Sequence, residues 1–186
     1  MAHYSVGIAT GDITPPVGVP LCGWASRGPH SSTGVYHPLR AVATAISDGA
    51  STVVILSAEI ISFNGLTDRI RAGIAQSTDL PPDHVILCAT HTHCGPTIDP
   101  GEIGHYERVD FPYVARAAEI MVDICRTAWR NRFPASLKFG VGRCNFAINR
   151  RLPDPERPGI TAFAPNPHGP VDHNVPVLTA TSPDNI

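Results

Sequence analysis

The middle of the chain alternates between strand-like and helix-like hydrophobic spacing, and this order constrains the fold more than any other feature of the sequence. Residues 39–46 and 52–58 are rich in β-forming residues. Apolar residues then recur every fourth position over about 64–77, a short apolar run follows at 84–90, and a second helical pattern covers about 112–131. Two strand-helix units in succession predict a layered α/β domain in which helices flank a mixed β-sheet.

Turn and cap residues mark the boundaries of these elements. The pair Asp48-Gly49 between the two β-rich runs predicts a hairpin turn. Asn64 is placed to cap the first helix, and Pro112 suits the first turn of the second. The run at 84–90 is apolar throughout, which predicts a strand in the interior of the sheet.

Further strands are predicted toward the two ends of the chain. Residues 4–9 alternate before the turn-rich stretch GDITPP, residues 135–142 alternate again, and residues 175–181 form a last apolar run. The many prolines between the last two runs predict a long irregular segment that extends to about residue 170.

The length and composition suit a single globular domain and exclude several classes of partner. Of the 186 residues, 42% are apolar and 16% are charged, which is typical of a folded chain rather than a disordered one. The formal net charge is −2 and the basic residues form no stripe, so a nucleic-acid partner is not expected. No apolar stretch approaches the roughly 20 residues that span a bilayer, so no transmembrane segment is expected.

The start of the chain and its cysteines indicate a reducing compartment. The start MAHYSVGIATGD has neither a basic region nor a long apolar run, so we expect no signal peptide and a cytoplasmic location. The five cysteines are odd in number and form no CxxC pair, which favours buried thiols over a disulfide framework.

Two histidines separated by one residue form the clearest candidate site, in the stretch CATHTHCGP at residues 88–96. They follow a predicted strand at its C-terminal end, where open α/β sheets bind their ligands. In an extended segment His91 and His93 share one face and lie about 6.5–7 Å apart along the strand. Both imidazoles can then bind one metal ion, or one binds it while the other donates to a substrate oxygen or moves a proton.

The residues alone leave the nature of this site open. HExxH and HxHxDH motifs are absent and the other histidines are scattered, so a metal ion has no identifiable further ligand. The structural alternative is a pair of histidines hydrogen-bonded at a sheet edge. A Cys-His nucleophile made of Cys94 and His93 is disfavoured, because adjacent residues on a strand point to opposite faces.

Three other features each have a structural and a functional interpretation. Asp12 suits either an Asx turn before the Pro pair or a carboxylate near the site. Glu59 ends a predicted strand, where it either orients a site group or faces solvent. The pair Arg150-Arg151 either binds a carboxylate or amide oxygen or is a solvated loop pair.

Five segments of the chain together resemble the family of neutral and alkaline non-lysosomal ceramidases. They are VGIATGDITPPVGVPLCGW, TGVYHPLRAVATAI, ATHTHCGP, FAINRR and GPVDHNVPVL. They occur in that family's order, and ATHTHCGP is the most specific of them. The resemblance covers essentially the whole chain but only the first part of the family's catalytic domain.

The resemblance implies a zinc-dependent amidase that cleaves the N-acyl bond of ceramide into a fatty acid and sphingosine. On this basis His91 would bind Zn²⁺, His93 would line the active site beside the metal, and Arg150 would contact the substrate region. His93 and Arg150 would then stabilise the developing oxyanion. Arg151 stands where animal-type members carry serine, which indicates a divergent, bacterial-type member and leaves open which acyl-amide is its substrate.

The family's other zinc ligands and its catalytic serine lie further along the domain than Ile186. We therefore expect residues 1–186 to be the N-terminal portion of a larger ceramidase-like catalytic domain, with an incomplete metal site. The alternative is a non-catalytic fragment or lobe with no complete active site, which acts only when another segment supplies the rest. An incomplete sheet leaves an edge or an apolar face open, so self-association is expected.

Overall fold

The computed structural model describes residues 4–24, 26, 28, 30–99 and 108–183. The chain divides into two units, the first being Met1–Ala135 with Ser182–Asp184 and the second Ser136–Thr181 with Asn185–Ile186. No helix in the described part of the chain combines the length and the apolar character that crossing a bilayer requires.

The first unit is built on a mixed β-sheet. Its strands are β1 (Tyr4–Asp12), β2 (Arg40–Ser47), β3 (Thr52–Ala58), β4 (Val85–Ala89) and the start of β5 (Phe133–Arg143). Hydrogen bonding orders them β4-β3-β2-β1-β5. Strands β3 and β4 pair in parallel because helix α1 (Thr67–Ser77) connects them, and the other pairs are antiparallel. The mixed sheet with helices that the sequence predicts is therefore confirmed.

Helix α1 and a second helix, α2 (Phe111–Arg130), pack against each other and share one core with the sheet. The apolar repeat Leu66, Ile70 and Ile74 is buried there as predicted. The prediction that Asn64 caps α1 is wrong. Asn64 begins a short 3₁₀ helix (Asn64–Leu66), which moves the start of α1 to Thr67 and leaves its N-cap without a side-chain hydrogen bond.

The hairpin between β2 and β3 forms as predicted. Gly49 has a φ of 91°, a conformation that glycine adopts without steric cost. One Asp48 carboxylate oxygen accepts hydrogen bonds from the Ser51 amide at 2.8 Å and the Ala50 amide at 2.9 Å. These bonds hold the pKa of the Asp48 carboxyl below its usual value. Local turn chemistry therefore supports the register of this pair of strands.

A stripe of very small residues lies where α2 meets the sheet. Gly7, Ala9 and Gly11 of β1 stand opposite three alanines of β2, in the register Gly7↔Ala45, Ala9↔Ala43 and Gly11↔Ala41. A Cβ atom added at Gly7 would lie 1.9 Å from the carbonyl oxygen of Ala128 on α2. The helix backbone therefore rests almost directly on the strand, which only a residue without a side chain allows.

The start of α2 is fixed by two side chains. Pro112 lies in the first turn as predicted, and the Asp110 carboxylate caps the helix by accepting from the Tyr113 amide at 2.9 Å. The buried Tyr113 hydroxyl donates to the carbonyl oxygen of Ile13 at 2.6 Å. Burial raises the pKa of this phenol, so it stays protonated and keeps donating. This bond ties α2 to the segment that leaves β1.

Strand β4 differs from its prediction in one respect. It lies at the end of the strand order and pairs only with β3 among the described residues, so its predicted interior position is wrong. Only Val85 of this strand is fully buried, and Ile86 is 47% exposed. The apolar run is therefore explained by the packing of β4 against the core, and the strand is not buried on both faces.

The second unit consists of two antiparallel pairs of strands. The remainder of β5 pairs with β8 (Asn174–Thr181), and β6 (Asn149–Pro153) pairs with β7 (Thr161–Asn166). The irregular segment predicted up to residue 170 is therefore wrong where β6 and β7 lie. Each strand of a two-stranded ladder is an edge, so Pro153 and Pro165 do not break the pairing as they would inside a sheet.

We expect the change Gly7→Ala to destabilise the first unit by about 3 kcal/mol, the upper range for overpacking, because the clashing atom is a backbone oxygen. The measurement is urea unfolding followed by tryptophan fluorescence. Gly140→Ala is the control, since an added Cβ there meets nothing within 4 Å and a change below about 0.5 kcal/mol is expected. Equal effects of the two changes would contradict the close approach of α2.

We expect the chain to self-associate with rising concentration, because β4 pairs on one side only among the described residues and Ile8 is 56% exposed on the face of the sheet. Sedimentation velocity over a concentration series measures this. Ile86 and Ile8 lie on one face of the sheet, in the register Ile8↔Thr44↔Ile55↔Ile86. Ile86→Lys tests that face at β4 and Ile8→Lys tests it at β1, so the variant that restores the monomer locates the contact. A wild-type chain that stays monomeric throughout would contradict the expectation.

Candidate histidine site

The histidine segment follows β4 and runs beside the residues that follow β3. The Thr90 amide donates to the Ala58 carbonyl at 3.0 Å, and the Thr92 amide donates to the Ile60 carbonyl at 3.2 Å. Between them His91 has a φ of 57°, in the left-handed region. The expectation that the strand stays extended through both histidines is therefore wrong. The strand ends at Ala89, and the backbone turns at the first histidine.

The ring of His91 is oriented by the backbone of the neighbouring segment. Its Nδ1 lies 3.0 Å from the carbonyl oxygen of Ile61. A carbonyl only accepts, so Nδ1 carries the proton and donates, which leaves Nε2 with a free lone pair in the neutral ring. Histidines that bind metal ions are held in this way by a partner on the other ring nitrogen. His91 therefore has the tautomer of a metal ligand that binds through Nε2.

The ring of His93 is held by other rings. Its centroid lies 5.0 Å from that of His91, with 69° between the planes, and 5.3 Å from that of Trp24, with 75° between the planes. No hydrogen bond orients the His93 ring within the described residues. The two predicted site histidines therefore do come together, by a turn in the backbone and not by strand alternation.

A second attachment holds the far side of the same segment. The Cys22 amide donates to the Gly95 carbonyl at 3.0 Å, and the Cys94 amide donates to the Cys22 carbonyl at 3.2 Å. The Thr97 amide donates to the Pro20 carbonyl at 3.0 Å, and the Cys22 thiol contacts the Pro96 carbonyl at 3.3 Å. The histidine segment is thus fixed between residues 58–61 on one side and residues 20–22 on the other.

A cavity of about 580 Å³ lies beside His93. It is formed largely by residues 30–39, together with Thr92, His93 and Cys94. Leu21, Val35 and Leu39 give it apolar walls, while Thr14, Ser32 and His37 add polar groups. The sequence did not indicate these lining residues, since nothing in the spacing of residues 30–39 shows that they reach the histidine motif.

Arg150 belongs to the second unit. Its guanidinium lies over the ring of Phe163 at 4.6 Å from the centroid, so the charge is held against an aromatic face. The side-chain oxygen of Asn149 accepts a hydrogen bond from the Arg151 amide at 2.9 Å, which fixes the backbone between these residues. Both arginines are exposed.

Asp12 and Glu59 each make a local backbone contact. Asp12 forms the predicted Asx turn, in which its carboxylate accepts from the Thr14 amide at 2.8 Å. Hydrogen bonds from the Thr14 hydroxyl and amide hold the pKa of the Asp12 carboxyl below its usual value. The Glu59 carboxylate accepts from the Arg40 amide at 2.6 Å, at the start of β2. These contacts account for both acids without a role at the histidines.

Of the two predictions made for the cysteines, the one about disulfides is confirmed and the one about burial is only partly correct. None of the five forms a disulfide, as expected. Cys22 and Cys125 are buried, whereas Cys88 and Cys94 are exposed, so the expectation of buried thiols is correct only in part. Burial raises the pKa of the Cys125 thiol to about 12, which makes that thiol unreactive.

The donor groups of the site fit a metal ion only in part. His91 has a suitable tautomer, and the His93 ring lies beside it. Across residues 4–99 and 108–183, apart from the few undescribed positions, no three or more histidine, cysteine, aspartate or glutamate side chains are grouped so as to hold a metal ion. A catalytic zinc site takes three protein ligands. The described residues therefore do not complete such a set.

Comparison with known proteins locates the fold. No protein-family model matches the sequence, and no curated protein matches it. Two solved structures match over 100% of this chain at 20% identity: a neutral ceramidase from Pseudomonas aeruginosa with a TM-score of 0.79, and a ceramidase complexed with C2 with a TM-score of 0.77. The chain spans 30% of the length of each. Its fold is thus that of part of the neutral ceramidase structures, as the resemblance implied.

We expect His91→Val to be less stable than His91→Asn by about 1 kcal/mol, because a β-branched residue is strained in the left-handed region and asparagine is not. Urea unfolding measures both variants. The same two changes at His93, whose φ is not positive, are the control and should not show this order. Equal stability of the two His91 variants would contradict the left-handed backbone.

Proposed function

We propose that this chain is part of a zinc-dependent amide hydrolase of the ceramidase type. The substrate would be an N-acyl amide such as a ceramide-like lipid, cleaved into a fatty acid and a sphingosine-like amine. One observation carries the proposal: a histidine with the tautomer of a zinc ligand follows β4, in a fold that matches neutral ceramidase structures over the whole chain. Residues 1–186 would be the N-terminal portion of the catalytic domain.

His91 is the ligand in this proposal. It would bind Zn²⁺ through Nε2, while the Ile61 carbonyl keeps the proton on Nδ1 and prevents the ring from rotating. The other ligands would come from outside the described residues. Bound zinc polarises an amide carbonyl and lowers the pKa of its water toward about 7.

His93 and Arg150 would act on the substrate. A ring N–H of His93 can donate to the amide oxygen as that oxygen gains negative charge, and the guanidinium of Arg150 supplies a permanent positive charge for the same purpose. The contact with Phe163 supports this role for Arg150, because a guanidinium already held against a ring loses less freedom when it binds. Neither group needs to change its protonation state to stabilise an oxyanion.

The cavity beside His93 would admit the acyl part of the substrate. Its apolar walls at Leu21, Val35 and Leu39 suit a hydrocarbon chain, and its polar groups suit the amide end. A volume of about 580 Å³ falls within the range of small-molecule sites. The reacting amide would then lie next to the His93 ring.

The second candidate function is a non-catalytic lobe that contributes one ligand to a site completed by another segment. The observation that favours it is the partial donor set of the described residues. The two candidates differ in the zinc affinity of the 186-residue chain, because affinity falls steeply as ligands are removed.

We expect this chain to bind Zn²⁺ through His91, and calorimetric titration of the metal-free chain measures the affinity. His91→Ala should abolish binding. His84→Ala is the matched control, since the Nδ1 of His84 is likewise hydrogen-bonded to a carbonyl, that of Thr52 at 2.9 Å, but outside the motif. Binding that survives His91→Ala would refute the ligand assignment.

The strength of binding separates the two candidates. Near-stoichiometric zinc after dialysis, with release of fatty acid from an N-acyl amide, would establish a hydrolase that this chain completes. Weak, His91-dependent binding without hydrolysis would favour the lobe. In a hydrolase that contains these residues, His91→Ala should lower kcat/KM by on the order of 1,000-fold, since metal activation of water is lost.

A further inference from the structure

We propose that Trp24, together with Gly23, is the positioning residue of the His93 imidazole. The inference rests on the proposed function, which assigns His93 a role at the substrate. The contact between Trp24 and His93 is independent of that function. Trp24 and Gly23 lie far from the histidine motif in sequence and belong to the segment that follows β1. They meet His93 because residues 20–22 pair with residues 94–97.

The two site histidines are oriented by different means. A hydrogen bond to the Ile61 carbonyl fixes the ring of His91. The ring of His93 has no such bond within the described residues, and it contacts the rings of Trp24 and His91 at steep interplanar angles of 75° and 69°. An exposed imidazole without a hydrogen bond rotates about both side-chain torsions unless something blocks it. Among the described residues, packing against Trp24 and His91 therefore restricts this ring.

Gly23 limits the same ring from a second direction. Its φ is 96°, a conformation that residues with a side chain rarely adopt. A Cβ atom added there would lie 2.8 Å from Cγ of His93, 3.0 Å from its Cα and 3.0 Å from its Nδ1. Any side chain at position 23 would therefore displace the imidazole of His93 or its backbone.

The attachment between the two segments makes the contact a stable one. The Cys22 amide donates to the Gly95 carbonyl and the Cys22 carbonyl accepts from the Cys94 amide, so the pairing starts at the residue that follows His93. Trp24 and His93 therefore each lie within two residues of this backbone pairing. Trp24 is itself 53% exposed, so it can be replaced without opening the core.

A positioning role predicts a specific kinetic effect. If His93 must aim an N–H at the substrate oxygen, freeing its ring lowers the rate of the chemical step more than it weakens substrate binding. We expect Trp24→Leu to lower kcat by on the order of 10- to 100-fold with little change in KM. Trp24→Phe keeps an aromatic edge against the ring and should retain most of the activity.

The decisive measurement does not need catalysis. In ¹H–¹³C spectra of the histidine rings at fixed pH, with the His93 signal assigned through His93→Gln, the edge of Trp24 shifts the His93 resonance. Trp24→Leu should move the His93 resonance toward the value of a free imidazole. The His91 resonance should shift less than the His93 resonance does. Trp24→Phe should restore part of the shift. Trp129→Phe, which changes the tryptophan of α2, is the control and should leave the His93 resonance unchanged.

The outcomes separate the contact from the function. An unchanged His93 resonance in Trp24→Leu would overturn the positioning role. A shifted resonance with unchanged kcat, in a chain or complex whose activity depends on His91, would overturn the claim that Trp24 serves catalysis and would remove His93 from the mechanism. A shifted resonance with a lower kcat that Trp24→Phe rescues is the expected result.

Discussion

The close approach of α2 to β1 is the contact on which the first unit depends. Gly7 and Gly11 leave no side chain between strand and helix, so the helix lies low enough for the Tyr113 hydroxyl to reach the carbonyl of Ile13. That bond fixes the chain where it leaves β1, and the Ile13 amide bonds the Leu39 carbonyl at the same point. The segment that later touches the histidines therefore starts from a fixed position. The packing of α2 against β1 thus helps to position the segment that contacts the histidine site.

The site itself is assembled from three separate stretches of sequence. The stretch after β4 supplies the histidines, the stretch after β3 supplies the carbonyl that orients His91, and residues 20–24 supply the surface against which His93 packs. The parallel pairing of β3 and β4 brings the first two together, since parallel strands end at the same edge of a sheet. The candidate role of the histidines therefore depends on their position at this edge of the sheet as well as on the sequence motif.

Features that depend on neighbours in sequence were predicted well, apart from the Asn64 cap, and features that depend on distant neighbours were not. The sequence predicted the turn at Asp48-Gly49 and the proline in the first turn of α2, because the residues at these positions favour those conformations by themselves. The edge position of β4 depends on which strand lies beside it, and an apolar run does not encode that. The left-handed backbone at His91 depends on hydrogen bonds to the chain after β3, while Trp24 meets His93 through a pairing that no periodicity indicates. The motif was therefore found, but its geometry was not.

Residues 90–97 contain no helix or strand of their own, yet their backbone is bonded on both sides. The conformational entropy of this segment is lost when the chain folds and not when something binds to it. A ligand that arrives there meets groups already in place and forfeits little freedom on their account. Affinity at such a site is limited by how many donors are present. Adding or removing one donor would change it more than making the loop any stiffer.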